Sequence, residues 1–392
     1  MKARKIGDGI YWVGAMDWDR RIFDSLIPLP GGTSYNAYFI QGREKSALVD
    51  TVEPSMKRIL FDRLKSLEVS SIDYVVVNHA EQDHSGTVPK ILEAYPMAKV
   101  VTSQIGKAMV VDMLAVSTDR IITVNEGQQI DLGGKTLQFF NFPWVHWPET
   151  MITWIPEQKI LMSCDLFGSH LASADIFVRD EPSVLRAAKR YYAEIMMPFR
   201  KLIASNLKKV VKLEAKVIAP SHGPIHRSPE TIIDAYRDWA TGEPKNLVIV
   251  PYISMHNSTR IMVEHFMDAC AERGINAEQF DLNDSDIGRL AMSLVDASGI
   301  VLGSPMVLAG PHPKAAYAAI LVNALRPKVK YMSVIGSFGW GGRLVETLQS
   351  LVPGLNVEVF PPVLAKGLPG AKDFAALDTL ADTFQDRLLK LK

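Results

Sequence analysis

The sequence predicts an α/β protein built in two parts, a layered sandwich of mixed sheets with helices outside and then an open, doubly wound parallel sheet of five strands. Three observations carry that reading. The chain has 392 residues, too many for one core at roughly 150 residues per domain. Up to about residue 220 the apolar runs change rhythm, from strands alternating with helices to strands following strands. After TIIDAYRDWATGEPKN, a helix closed by Gly242 and Pro244 as C-cap and breaker, strand and helix alternate regularly. The boundary therefore falls at 244, giving domains 1–244 and 245–392.

In the first part YNAYFI and SALVDTV read as strands, PSMKRILFDRLKSL as a helix and DYVVVNH as a buried strand. A helix follows from about Thr87, and AKVVTS is a strand before a further helix. From Ile121 the pieces IITVN, KTLQFFNFP, MITWIP and KILMSCD are consecutive strands, followed by one long helix from about Pro182 to Asn206 and a last strand, KVIAP. Adjoining strands imply stacked sheets. In the second part NLVIVPYI, a short strand at 277–280, GIVLGSP, VKYMSVIGSF and VEVFPP alternate with helices at 258–273, 285–295, 314–325, 342–351 and the C-terminus. Such strands belong to a parallel sheet covered on both faces.

Composition narrows the function. The 43 basic residues equal the 43 acidic ones, so no bulk field draws the protein to nucleic acid or to an anionic membrane. No run of about 18 uncharged apolar residues reads as a spanning helix, and the N-terminal MKARKIGDGIYWVG lacks the apolar stretch of a secretory signal. A cytoplasmic location is expected, with no membrane and no nucleic-acid partner. Cys164 and Cys270 are too few for a disulfide framework or a four-cysteine metal centre. Any redox cofactor must use other ligands.

The stretch VVVNHAEQDHSG places His79, Glu81, Asp83 and His84 on the loop leaving a buried strand. Such groups repel or strand one another unless something positive sits among them, because unpaired buried charge is costly. His146 ends the strand-like KTLQFFNFPWV, Asp165 ends KILMSC, and His222 comes just after KVIAPS. Any one histidine is most simply a surface or core residue. Six of the nine, however, fall between 79 and 226, and four strand exits independently present a metal-ligand type. Strands lying side by side would gather them into one metal site.

H-x-x-x-D-H after a strand, then a His, an Asp and an S-H-G at later strand ends, resembles the metallo-β-lactamase fold, a four-layer αββα sandwich. Hydrolytic members, usually zinc enzymes, carry histidine where this chain has Glu81. A carboxylate there makes the site harder and more anionic, which suits iron cycling between ferrous and ferric states. H-x-E-x-D-H is the form of the flavodiiron proteins, also called A-type flavoproteins. Asp83 to His146 leaves 62 intervening residues and His146 to Asp165 leaves 18, gaps similar to that family's.

The resemblance implies that His79, Glu81 and His146 hold one iron, Asp83 and His222 the other, and that Asp165 bridges them. At the position of His84 the family sometimes binds the second iron and sometimes leaves it to solvent. SHGPIHR offers both His222 and His226; His222, directly after the strand, is favoured, and His226 lines the pocket instead. Asp50 either orients a ligand histidine or is a strand-terminal turn carboxylate. His170, Trp147 and Phe23 either wall the pocket or simply pack.

In the second part, NLVIVPYI followed by SMHNSTRIM is a strand, a loop of small polar residues and a helix start. Ser254, Met255, His256, Asn257, Ser258 and Thr259 make a cradle where side-chain donors, backbone N–H groups and the helix dipole favour a phosphate. An ordinary N-cap explains Ser258 and Thr259 alone. Two more strand exits, at Pro305, Met306, Val307 and Leu308 and at Ser337, Phe338, Gly339, Trp340, Gly341 and Gly342, set small residues beside bulky ones, which suits a flat ring between loops at a topological switch point. The three loops resemble those of flavodoxin, so the cofactor implied is FMN. Relatives tend to have threonine and asparagines after the S-P of the middle loop; here Met306, Val307 and Leu308 imply backbone and apolar contact. No G-x-G-x-x-G opens a helix after a strand.

A flavodoxin-like module beside a histidine and carboxylate di-iron site is similar to a whole flavodiiron protein. That resemblance implies reduction of dioxygen to water, nitric oxide to nitrous oxide, or both, by two non-haem irons per chain, with FMN relaying electrons. It implies rubredoxin or reduced deazaflavin as donor and a head-to-tail homodimer or dimer of dimers. The rival readings are a zinc hydrolase fused to a flavodoxin domain, against which Glu81 argues, and a flavin carrier with an inert first domain.

Overall fold

The computed structural model describes residues 1–391. The chain divides into two compact units, residues 1–192 with 199–240 and residues 193–198 with 241–392.

The first unit stacks two sheets. One runs in the order Arg4–Gly7, Ile10–Trp12, Tyr38–Gln41, Ser46–Val49, Tyr74–Val76, Lys99–Ser103 and Ile121–Val124. The other runs Gln129–Asp131, Thr136–Asn141, Met151–Ile155, Ile160–Cys164 and Val217–Pro220. Successive strand residues point to opposite faces, and the apolar runs VVV and ALV fill both. Ala47, Val49, Val76 and Val101 join Leu137, Phe139, Ile155 and Met162 in one apolar cluster. Their neighbours Leu48, Val75 and Val100 join Leu60, Leu64, Ile91 and Val110, from the helices Lys57–Ser66, Val88–Ala94 and Gln104–Leu114, in another. Runs apolar on both faces thus give a sheet packed by a sheet on one side and helices on the other.

The second unit is one sheet in the order Asn276–Asp281, Lys245–Tyr252, Ala297–Val307, Tyr331–Phe338 and then Glu358–Val359, all parallel. Lys245–Tyr252, the first strand of this unit in chain order, lies between the second and the third, so connections leave it in opposite directions. That is the switch point where loops diverge and a crevice opens.

Four features differ from the sequence expectation. Short strands at Arg4–Gly7, Ile10–Trp12, Ala15–Asp17, Ile22–Phe23, Ile27–Pro28 and Thr33–Tyr35 precede the first one expected. The helix expected from Pro182 to Asn206 is two, Glu181–Tyr191 and Arg200–Leu213, separated by a wider π turn and a tighter 3-10 turn. The strand expected to end at His146 stops at Asn141, so His146 stands on the following loop. VEVFPP is replaced by two short pieces, Glu358–Val359 and Val363–Lys366, both paired to Tyr331–Phe338.

Candidate metal centre and flavin loops

In the first unit the strand exits converge. Asp83 and His84 ride on a single helical turn, Gln82–Ser85, just after the strand Tyr74–Val76. Asp165 directly follows Ile160–Cys164, and His222 follows Val217–Pro220, the strand paired in parallel beside it. Side chains that are far apart in sequence thereby form two groups: His79, Glu81, His146 and Asp165, and Asp83, His84 and His222.

The inward Nε2 atoms set the geometry. His79 Nε2 lies 3.0 Å from Glu81 Oε2 and 3.7 Å from Asp165 Oδ2, and His146 Nε2 lies 3.2 and 3.5 Å from the same two oxygens. On the other side His84 Nε2 is 3.3 Å from Asp83 Oδ2 and 3.1 Å from Asp165 Oδ1, while His222 Nε2 is 3.1 and 3.6 Å from those atoms. Asp165 therefore presents one oxygen to each group. Ligands at about 2.0–2.2 Å from a cation and roughly at right angles to one another would stand about 3 Å apart.

The fit to cations is chemical as well as geometric. His79 donates its Nδ1–H to Glu149 at 2.6 Å, and His222 donates its own to the Ser34 carbonyl at 2.6 Å. In the neutral ring each Nε2 is then a lone pair facing carboxylate lone pairs. All four carboxylate oxygens of Asp83 and Asp165 are buried without a hydrogen-bond partner. Without a cation the rings take up protons instead: burial alone would raise the Glu81 carboxyl, but Nε2–H hydrogen bonds from protonated His146 and His79 outweigh it and hold Glu81 far below the carboxylate range. Asp165 is likewise held well down, by His84 and His146, against the pull of burial. Burial lowers His84, yet Asp83 and Asp165 overcome it and raise the imidazole to about 9. Such a set concentrates negative charge that bound protons or metal cations must offset.

Around it, Trp147 packs edge-on to His79 at 4.9 Å, Phe23 lies 5.0 Å from His170, and Tyr191 lies 5.8 Å from His222. His170 meets Thr33 Oγ1 at 2.9 Å through Nδ1. His226 belongs to neither group; burial pushes its imidazole down to about 4. Among the described residues Asp50 hydrogen-bonds no histidine, although His84 is near enough to act on its charge: its two oxygens accept from the backbone and side-chain nitrogens of Asn78 at 2.9 and 3.0 Å. The residue behind His79 is Glu149, which the sequence reading passed over; the only signal was an acidic residue three positions after His146, in HWPE.

In the second unit the three loops leave neighbouring strands. Asn257, in the left-handed region at φ +65°, caps the helix Ser258–Glu272, and Ser254 Oγ accepts from the Arg260 N–H at 3.2 Å. Thr259 Oγ1 lies 3.0 Å from Ser337 Oγ, tying the first loop to the third. The middle loop is a tight hairpin, in which Met306 and Val307 pair with Pro311 and Gly310, with Pro305 in register with Ser337. The Arg343 N–H donates to the Ala309 carbonyl at 2.9 Å, so the second and third loops touch. Open space surrounds Gly339 and Gly341, and Met255, His256, Leu308 and Trp340 are exposed. The crevice has an anion-favouring helix start and apolar walls, which fits a phosphate joined to a flat ring.

Comparison with known proteins agrees with both halves. Residues 33–223 match the model of the ODP family beta lactamase. The chain is 36% identical to a nitric oxide reductase of Moorella thermoacetica over 94% of each chain, and 32% identical to a coenzyme F420H(2) oxidase of Methanothermobacter marburgensis over 91% of each. Among solved structures, the rubredoxin oxygen:oxidoreductase of Desulfovibrio gigas superimposes with a TM-score of 0.94 at 30% identity, covering 100% of this chain and 99% of that one. The flavodiiron protein of Giardia intestinalis gives 0.91 at 25% identity, covering 100% and 98%.

Proposed function

Because the chain belongs to the flavodiiron family of type A flavoproteins, we propose that it is an oxidoreductase reducing dioxygen to water, nitric oxide to nitrous oxide, or both. The observation that carries this reading is the buried Asp165 carboxylate, with one oxygen facing each of two ligand groups. In this assignment His79, Glu81 and His146 hold one iron, Asp83, His84 and His222 hold the other, and Asp165 lies between. His84 is included because its Nε2 reaches the same oxygens as that of His222. Ser254, Met255, His256, Asn257, Ser258 and Thr259 would hold the phosphate of FMN, and the loops at 305–308 and 337–342 its ring.

When bound, the irons store two electrons and reduced FMN two more, the four that dioxygen needs to become water and twice what a pair of nitric oxide molecules needs. The protein's own part is preorganisation. Glu149 and Ser34 fix two rings with Nε2 inward, and Phe23, Trp147 and Tyr191 wall the pocket with apolar surface, which strengthens charge interactions within.

The proposal extends to an external donor, either rubredoxin or a reduced deazaflavin; relatives are named for rubredoxin and for coenzyme F420H(2). It also includes a head-to-tail homodimer or dimer of dimers, for which the exposed Met255, Leu308 and Trp340 at the flavin loops offer apolar surface. A cytoplasmic location is in keeping with two buried free cysteines, and among the described residues no helix is long and apolar enough to cross a membrane. Metal and flavin analysis, followed by anaerobic stopped-flow of the reduced protein against each gas, tests the whole. Two irons and one FMN per chain with consumption of either gas are expected; zinc with hydrolase activity, or no metal at all, would overturn it.

A further inference from the structure

Glu149 has no role in holding metal, yet it is only 3% exposed and firmly placed. Its Oε1 accepts from His79 Nδ1 at 2.6 Å and from the Ala80 N–H at 2.9 Å, and its backbone carbonyl accepts from Ser103 Oγ at 2.8 Å. The other oxygen, Oε2, is buried with no hydrogen-bond partner, so its charge is offset chiefly by His79 and then by the backbone amides of Ala80 and Glu149. The rings on the other side differ. His222 has the neutral Ser34 carbonyl behind it, and His84 Nδ1 is buried with no partner. A carboxylate accepts directly from the Nδ1–H of His79, whereas on the other side Asp50 lies near His84 without a hydrogen bond to it, its oxygens taken up by Asn78.

We propose that Glu149 is a positioning residue that makes the two halves of the metal centre electronically unequal, holding the half built on His79, Glu81 and His146 at a lower reduction potential than the half built on Asp83, His84 and His222. The inference rests on the assignment of two irons above. A carboxylate that accepts the Nδ1–H of a ligand histidine fixes its tautomer and makes Nε2 more basic, which favours the more positive metal; a neutral carbonyl does so less. The proton stays on Nδ1 throughout, and no bond is made or broken. With iron bound, electrons arriving one at a time would enter the Asp83–His84–His222 half first, and the His79 half would be the first to give its electron up.

A redox titration of the iron-loaded protein tests this. The wild type is expected to show two separate one-electron steps. In Glu149→Gln, which keeps the acceptor oxygen and the volume but removes the charge, the lower step should rise towards the upper one while the upper step moves much less and both irons are retained. Equal movement of the two steps, or movement of neither, overturns the proposal. Should the variant fail to fold, proton NMR of the zinc-loaded wild type decides: an exchange-protected, strongly downfield His79 Nδ1–H is expected, and its absence overturns the proposal. Iron analysis of the wild type is read separately, since a protein holding no iron removes the underlying assignment as well.

Discussion

The two units handle their chemistry in opposite ways. In the first, the candidate ligands are ionisable and interior; His79 and Asp165 have no exposed surface at all. In the second, the loops that gather at the crevice reach outwards, with Met255 50%, Trp340 65% and Leu308 90% exposed. The difference follows from what each must hold. Multivalent cations are held by charge, which is strong and ordered only where water is excluded. A flat ring with a phosphate tail is held by backbone N–H groups and apolar faces at the edge of a sheet. The first site should therefore depend on side-chain identity and the second on backbone shape.

The sharpest break of that contrast is Asp165→Ala. It removes both oxygens that face the two groups and leaves four inward Nε2 atoms without their shared partner. Loss of iron is expected, with gas consumption falling by more than the roughly 10–100-fold typical of removing an outer partner, while FMN content is unchanged. Metal analysis together with flavin absorbance checks both halves in one sample. Simultaneous loss of FMN would mean that the variant had lost its fold rather than its metal.

The same contrast explains what could be read from sequence. That His79, Glu81, Asp83 and His84 gather at one place was legible because one loop after an apolar strand supplies four candidate ligands, and the same holds for Asp165 and His222 because each follows a strand of its own. Glu149 was not, because its role arises from a contact across 70 positions and HWPET reads locally as a turn. Asp50 ends a strand as a histidine-orienting carboxylate would, but Asn78, on the loop just after the neighbouring strand, reaches its oxygens with two nitrogens. The early strands have two to four residues and are interrupted by Gly9 and Gly14, too short for a period of two to show. In YYAEIMMPF the residues suit a helix, yet Tyr191 packs on His170 and the adjacent Tyr192 on Tyr236 and Trp239. Neighbouring rings with different partners accompany the wider turn that interrupts the helix.

If the second site depends on backbone shape, Gly342→Val should injure it more than any change of an exposed side chain there. A Cβ at Gly342 would lie 2.5 Å from the Ala309 carbonyl oxygen and 2.6 Å from Met306 Sδ, so the third loop must move away from the second. Overpacking of this kind costs about 1–3 kcal/mol, and FMN binding is expected to weaken roughly tenfold or more with iron content intact. Fluorescence titration of apoprotein with FMN measures it. Unchanged affinity would show that the two loops need not touch to hold the ring.

A pH experiment sharpens the first half of the comparison. In the metal-free protein His84 is raised from its ordinary 6.5 to about 9 by Asp83 and Asp165. The folded state then binds the proton more tightly than the unfolded one, so this stabilisation is complete below pH 6.5 and is lost as the pH rises through 9. The Tm of the metal-free protein is expected to fall across that window. Metal-loaded protein should not follow it, because a ligand imidazole must be neutral. Parallel curves for the two forms would mean that the cations do not occupy the place of the His84 proton.

The smallest effect is expected where the second unit is most exposed. Leu308 and Ala309 both adopt left-handed backbone, at φ +49° and +63°, in the tight turn that closes the middle loop. Asparagine enters that region more readily than leucine, so Leu308→Asn should change stability by less than about 0.5 kcal/mol, in the favourable direction. If the loop holds the ring through its backbone, FMN affinity should stay within about twofold. A large loss would mean that the Leu308 side chain itself covers the flavin, and the second site would then depend on side-chain identity as the first one does.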